Sequence, residues 1–209
     1  LDGTFHDTYV VDSIFLGGGT PSILDGRQIR QIFQSLRKTF SVSRDAEITI
    51  EANPGTVTGE KLSAWREVGI NRVSIGLQSA NDEELKLLGR IHTHHQFEET
   101  YESVRAAGFT NVNVDLISAI PGQSVESWCQ TLEKVAAISP EHISAYSLIV
   151  EEGTPFYEYF GEDREKRNVA GERTKFVMPA LPNEEDEREM YHLTERVLSP
   201  YGYHRYEIS

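Results

Sequence analysis

"EVGINRVSIGLQ" (residues 67–78) and "AAGFTNVNVDLI" (residues 106–117) are two versions of one phrase. Each closes a helical stretch, places a glycine, then runs into a strand that ends near a polar residue. A glycine directly after a helix suits the left-handed backbone of a helix stop, so Gly69 and Gly108 read as C-terminal caps. Units of helix, glycine and strand repeated at this length imply parallel strands joined by right-handed helical crossovers. The choice that remains is between an open doubly wound sheet and a barrel or partial barrel.

Working outward, the same rhythm covers most of the chain. Strands are expected at Val10–Leu16, Ala46–Ala52, Asn71–Gln78, Asn111–Ile117, His142–Ile149 and Tyr203–Ile208. Helical spacing of apolar residues recurs between them: Ile29, Ile32, Phe33 and Leu36; Phe97, Tyr101 and Val104; Trp128, Leu132, Val135 and Ala136; Met190, Leu193 and Val197. Thr58 and Asn183 suit helix starts. Some strands are near-continuous apolar runs, as expected when both faces are covered. Phe160 to Glu187 breaks the rhythm: it is charged, holds two prolines and two glycines, and reads as a long surface loop or a functional lid.

Composition narrows the function classes. The chain has 209 residues, 38% hydrophobic and 25% charged, which supports a real core. A formal charge of −13 argues against a broad phosphate-binding face and hence against nucleic acid. No stretch approaches the roughly 20 apolar residues of a membrane span. The single cysteine, Cys129, fits a reducing cytoplasm and rules out a metal site built from several thiolates of this chain. The first residue is Leu1 and the last strand stops at Ser209, so a fragment of a longer protein is expected.

The polar residues that a fold alone does not require collect at strand ends. Gly17–Thr20 follows the first strand, Glu51 closes the second, Gln78 closes the third, and Asp115 lies late in the fourth. In parallel α/β folds these C-terminal ends form the rim where ligands bind. Each has a bland reading: a tight turn for the glycines, an exposed strand end for Glu51, backbone pairing for Gln78, a helix-end cation for Arg90. Asp115, between Val114 and Leu116, needs partners if it is buried. His92, His94 and His95 resemble a metal cluster, but two are adjacent and no matching carboxylate is evident. Glycines at a strand end open the main chain to an amino-acid moiety, Arg90 offers a bidentate partner for its carboxylate, and Glu or Asp can hold ribose hydroxyls. A ligand with an amino acid, a ribose and an adenine fits: S-adenosylmethionine.

Together "IFLGGGTPSIL", "EANPGTVT", "RVSIGLQSANDEELKLLGRIHT", "VNVDLISAIPGQS" and "AYSLIVEEGTPFY" resemble the radical S-adenosylmethionine proteins of the oxygen-independent coproporphyrinogen III oxidase family. The resemblance runs from about Asp12 to Tyr157 and resumes near Glu185. "LIVEEGTPFY" and the ending "YEIS" are more similar to the family's haem chaperone branch than to the true oxidase.

The resemblance implies an α/β fold, a partial (β/α)6 TIM-like barrel incomplete at both ends. Its core would span residues 1–159, followed by the charged loop at 160–187, then a last helix and the start of a final strand at 188–209. By matching position, Gly18, Gly19 and Thr20 would contact the methionyl part of the cofactor. Glu51, Gln78, Arg90 and Asp115 would be further ligands, with Ile149 near the adenine. The family's three cysteines, spaced C-x3-C-x2-C, hold a 4Fe-4S cluster, and this chain has no such motif. The cluster's ligands are therefore expected outside this chain, and no catalytic residue or metal ligand is assigned within it. The full protein is expected to bind haem and pass it to acceptors such as respiratory enzymes. The alternative is the oxidase, which converts two propionates of coproporphyrinogen to vinyl groups.

Overall fold

A computed structural model describes residues 9–161 and 178–207. Five parallel strands, β1 (Val10–Leu16), β2 (Ser41–Ala52), β3 (Arg72–Gln78), β4 (Val112–Ser118) and β5 (His142–Ser147), lie in sequential order and curl into a half-barrel. The crossovers carry α1 (Gly26–Thr39), α2 (Gly59–Glu67), α3 (Asp82–Leu87), α4 (His94–Ala106) and α5 (Val125–Ala137). After β5 come α6 (Pro155–Phe160) and α7 (Glu184–Leu198).

The expected caps form. Thr58 accepts the Lys61 amide at the start of α2, and Asn183 accepts two amides at the start of α7. Gly69 and Gly108 hold φ of +91° and +84°. The core lies between the sheet's convex face and the helices. Ile48, Ile50, Val73, Ile75, Leu77, Val112, Val114 and Leu116 point there and are buried against Phe33, Trp65, Phe97 and Trp128. Trp128 also docks α7, donating its indole N–H to Met190 O (3.2 Å) and Thr194 Oγ1 (3.0 Å).

The other side of β2 to β5 is largely polar, with Ile117 of β4 an apolar exception. Glu47, Thr49 and Glu51 of β2 alternate with the core residues, as do Ser74 of β3, Asn113 and Asp115 of β4, and His142, Ser144 and Tyr146 of β5. Register aligns Glu51, Ser74, Asn113 and His142 in one row, and Gly76, Asp115 and Ser144 in the next. The concave wall is therefore a polar surface, where the sequence suggested strands covered on both faces.

Beyond one-residue shifts in β3 and β4, four boundaries differ from expectation. β2 begins at Ser41, because Val42 and Glu47 bracket extra residues that bulge out opposite β1. β5 ends at Ser147, so Leu148 and Ile149 are loop. The final helix starts at Glu184, inside the expected loop, while the loop's residues 162–177 lie outside the described residues. The sixth strand does not form over residues 203–207. Gly202 turns the chain at φ +89°, and the segment beyond it meets β5 and its approach through side chains: Tyr203 donates to Pro140 O, and the Tyr206 hydroxyl meets His142 Nε2.

Candidate functional site at the rim of the half-barrel

The first loop is built before any ligand arrives. Gly17 is forced by crowding, since a Cβ there would lie 2.5 Å from the Phe15 ring and 3.2 Å from the Glu51 carboxyl carbon. Gly18 and Gly19 are forced by handedness, at φ +82° and +59°, and a Cβ on either would meet nothing within 4 Å. The space over those two residues is open. Gly18 donates its amide to Glu51 Oε2 at 3.1 Å, which joins the β1 and β2 loops. Thr20 Oγ1 accepts from Asn53 Nδ2, Ser22 Oγ accepts the Asn53 amide, and Lys61 donates to the carbonyls of Ser22 and Thr56.

The ends of β3 and β4 carry strained backbone. Gln78 at φ +73° and Ala119 at φ +58° are non-glycine residues in the left-handed region, and a β-bulge falls between Gly76 and Gln78. The Gln78 side chain folds back so that its Nε2 lies 2.7 Å from where a Gly76 Cβ would sit. Gln78 is 5% exposed, yet its Oε1 has no hydrogen-bond partner. A buried amide oxygen without a donor costs roughly 1–3 kcal/mol, so its bland reading as a backbone-satisfying amide fails.

Asp115 has the partners its burial demands, accepting from Ser74 Oγ at 2.9 Å and Asn113 Nδ2 at 2.7 Å. Below it, toward the N-terminal ends of the strands, Asn113 Oδ1 accepts from His142 Nδ1 and Ser144 Oγ, and His142 Nε2 meets the Tyr206 hydroxyl at 2.6 Å. Burial and the nearby Arg72 push the His142 imidazole below its ordinary value of 6.5.

One step rimward of Asp115 and Ser144, Tyr146 pairs in register with Ile117 and shares their concave face. Burial raises the Tyr146 phenol; the charges of Asp115 and Glu51 raise it further and that of Arg90 opposes them. Charged groups from three different segments thus reach the Tyr146 phenol at the mouth. Sequence reasoning missed Tyr146 and Asn113: the two-residue alternation of β4 and β5 gives a shared face but not the register that brings their partners together. Ile149 stands apart, 76% exposed in the loop beyond β5.

The histidine cluster dissolves. His92 is buried with Nε2 3.2 Å from Leu77 O, while His94 and His95 face Glu98 and Glu99 on α4. Among the described residues, no three His, Cys, Asp or Glu side chains are placed to hold a metal ion. Cys129 sits on α5, where burial and then Glu133 push its thiol up, the opposite of what an iron ligand needs.

The radical SAM superfamily profile matches residues 3–135. Heme chaperone HemW of Lactococcus lactis subsp. lactis (strain IL1403) is 34% identical over 197 residues, covering 94% of this chain and 48% of the relative. The mouse protein called radical S-adenosyl methionine domain-containing protein 1, mitochondrial, is 35% identical over 199 residues, covering 95% of this chain and 42% of its own length. Among solved structures, the coproporphyrinogen III oxidase HemN of Escherichia coli, described as a radical SAM enzyme, superposes with a TM-score of 0.76 at 29% identity, over 93% of this chain and 42% of that one. The chain spans about half the length of the curated relatives it matches.

Proposed function

The chain belongs to the radical SAM superfamily, and from that premise we propose that its rim binds S-adenosylmethionine and that the whole protein is a haem chaperone. The observation that carries the ligand is the open space over Gly18 and Gly19, where a Cβ would meet nothing within 4 Å, in a loop tied to Glu51; the unpartnered Gln78 Oε1 lies at the end of β3 on the same rim. The donor set fits. Gly18, Gly19 and Thr20 line an open stretch of main chain suited to the methionyl group, and Arg90 suits its carboxylate. Glu51, Gln78 and Asp115 suit the ribose hydroxyls and ammonium, and Ile149 offers an apolar side chain to the adenine. When bound, the cofactor supplies a sulfonium whose cleavage is the family's chemistry; the residues of this chain hold and orient it. Cys129 does not fit a 4Fe-4S cluster, whose several thiolate ligands this chain does not supply.

The relatives named heme chaperone favour haem as the cargo. Acceptors such as respiratory enzymes and a cytoplasmic compartment are part of the same proposal and rest on the sequence resemblance and the single cysteine. No described helix is long and apolar enough to cross a membrane. Rim charge favours the chaperone over an oxidase. Glu51, Asp115 and the exposed Glu151 and Glu152 outnumber Arg90, so their field repels a tetra-anionic porphyrinogen. The second reading, coproporphyrinogen oxidation, is favoured by the HemN superposition. The test is an anaerobic assay of the natural full-length protein with reductant, S-adenosylmethionine and coproporphyrinogen III, read by chromatography. Haem binding without turnover is expected; repeated turnover to protoporphyrinogen establishes the oxidase instead.

A further inference from the structure

We propose that Tyr146 reads the positive sulfonium of S-adenosylmethionine; the inference rests on the rim binding that ligand and deepens that reading by naming the contact that senses charge. The position is set by the sheet. His142 and Ser144 both reach Asn113 on the concave wall, so alternation along β5 sends Tyr146 to that wall too, beyond the Asp115–Ser144 pair. There the ring stands at the mouth, 39% exposed, with Asp115, Glu51 and Arg90 close enough to act on it.

A structural tyrosine in this fold looks different. Tyr101 is 6% exposed, with its hydroxyl donated to Ile138 O and approached by Arg105. Tyr146 instead is 39% exposed on the concave side of a polar mouth. An aromatic face attracts a cation through its quadrupole, most strongly where water is excluded. Two carboxylates against one guanidinium leave the surroundings negative, which also favours a cationic guest. With Arg90 engaged by the methionyl carboxylate and the ammonium held by a rim carboxylate, the sulfonium is the ligand's remaining cation and the ring is its seat.

S-adenosylhomocysteine isolates this contact, because it keeps every other group and lacks the methyl and the charge. Titration calorimetry on the natural full-length protein, with each ligand, compares wild type with Tyr146→Phe and Tyr146→Leu. Tyr146→Leu should weaken S-adenosylmethionine about five-fold, within the range of an aromatic–cation contact, and leave S-adenosylhomocysteine nearly unchanged. Tyr146→Phe keeps the ring and should keep the preference; thermal melting confirms that each variant folds. Equal weakening of both ligands by Leu, no change in either, or a Phe variant that behaves like Leu overturns the sulfonium assignment alone. A wild-type protein that binds neither ligand overturns the rim reading itself.

Discussion

The floor and the mouth of the half-barrel are made from the same strands and obey opposite rules. At the floor, Asn113 joins Ser74, Asp115, His142 and Ser144, and His142 passes the chain of bonds to Tyr206, so each of these polar groups has a partner. At the mouth, Gln78 keeps a buried oxygen unpaired, and Gln78 and Ala119 hold a backbone that side chains disfavour. Buried polar groups are ordinarily satisfied, and strain survives only where surrounding structure imposes it. The floor is thus an internal brace, while the mouth keeps an unpaired amide oxygen. Trp65 Nε1 in the core is also unpaired and Ser139 before β5 is also left-handed, so it is the open loop at Gly18 and Gly19 that carries the proposed ligand reading.

The largest expected effect breaks the brace. Asn113 is 1% exposed and its amide both donates and accepts. Asn113→Leu deletes every one of those bonds while keeping the volume, and strands Asp115 and His142 with fewer partners. A loss of about 2–4 kcal/mol is expected from orphaning a buried network. Urea unfolding measures it. A loss below about 0.5 kcal/mol would show that water satisfies the floor as well as Asn113 does.

Gln78→Gly tests the other half of the comparison. Glycine releases the positive φ and removes the unpaired oxygen, while the lost side-chain packing acts in the opposite direction. Stability should stay within about 1 kcal/mol of wild type. Affinity for S-adenosylmethionine in the full-length protein should fall about ten-fold, the value of one good hydrogen bond. If stability collapses and affinity holds, the amide is structural and the contrast between floor and mouth fails.

Much of this was legible in the sequence, for a physical reason. Helix stops at Gly69 and Gly108, caps at Thr58 and Asn183, and the strands from Val10 and His142 are local signals, written in a few adjacent residues. The places of the candidate residues were partly legible because they are local: the glycines, Glu51 and Gln78 do sit at strand ends, whereas Asp115 is the central residue of β4. The features that stayed hidden depend on register between strands. Nothing in "HISAYS" states that Tyr146 lies opposite Ile117, or that His142 meets Asn113 from the neighbouring strand. The early start of β2 was masked because Ser43, Arg44 and Asp45 are polar residues of an irregular edge. The expected strand after Gly202 had the right composition, but its tyrosines are held by Pro140 and His142 rather than by a backbone ladder.

The smallest effect is a titration that sharpens the contrast from the side of the floor. His142 faces Arg72, which lowers its pKa along with burial, and Asp115, Glu47 and Glu207, which oppose that shift; the net direction is downward from 6.5. Its Nδ1 lies against the Asn113 carbonyl oxygen, so the neutral ring donates there and accepts the Tyr206 hydroxyl proton at Nε2. The folded state therefore binds a proton less readily than the unfolded chain. This contribution to stability is complete above the unfolded value and is lost as pH falls below about 6.5 toward the folded value. His92 and His94, also shifted down by burial, act in the same direction. Unfolding free energy should thus decline between about pH 7.5 and about pH 5.5, before carboxylates titrate strongly. His142→Gln, which keeps a polar group of similar reach but cannot titrate there, should make that decline shallower without abolishing it. An unchanged slope would mean that the proton is taken up without disturbing the floor, and that the brace tolerates an imidazolium.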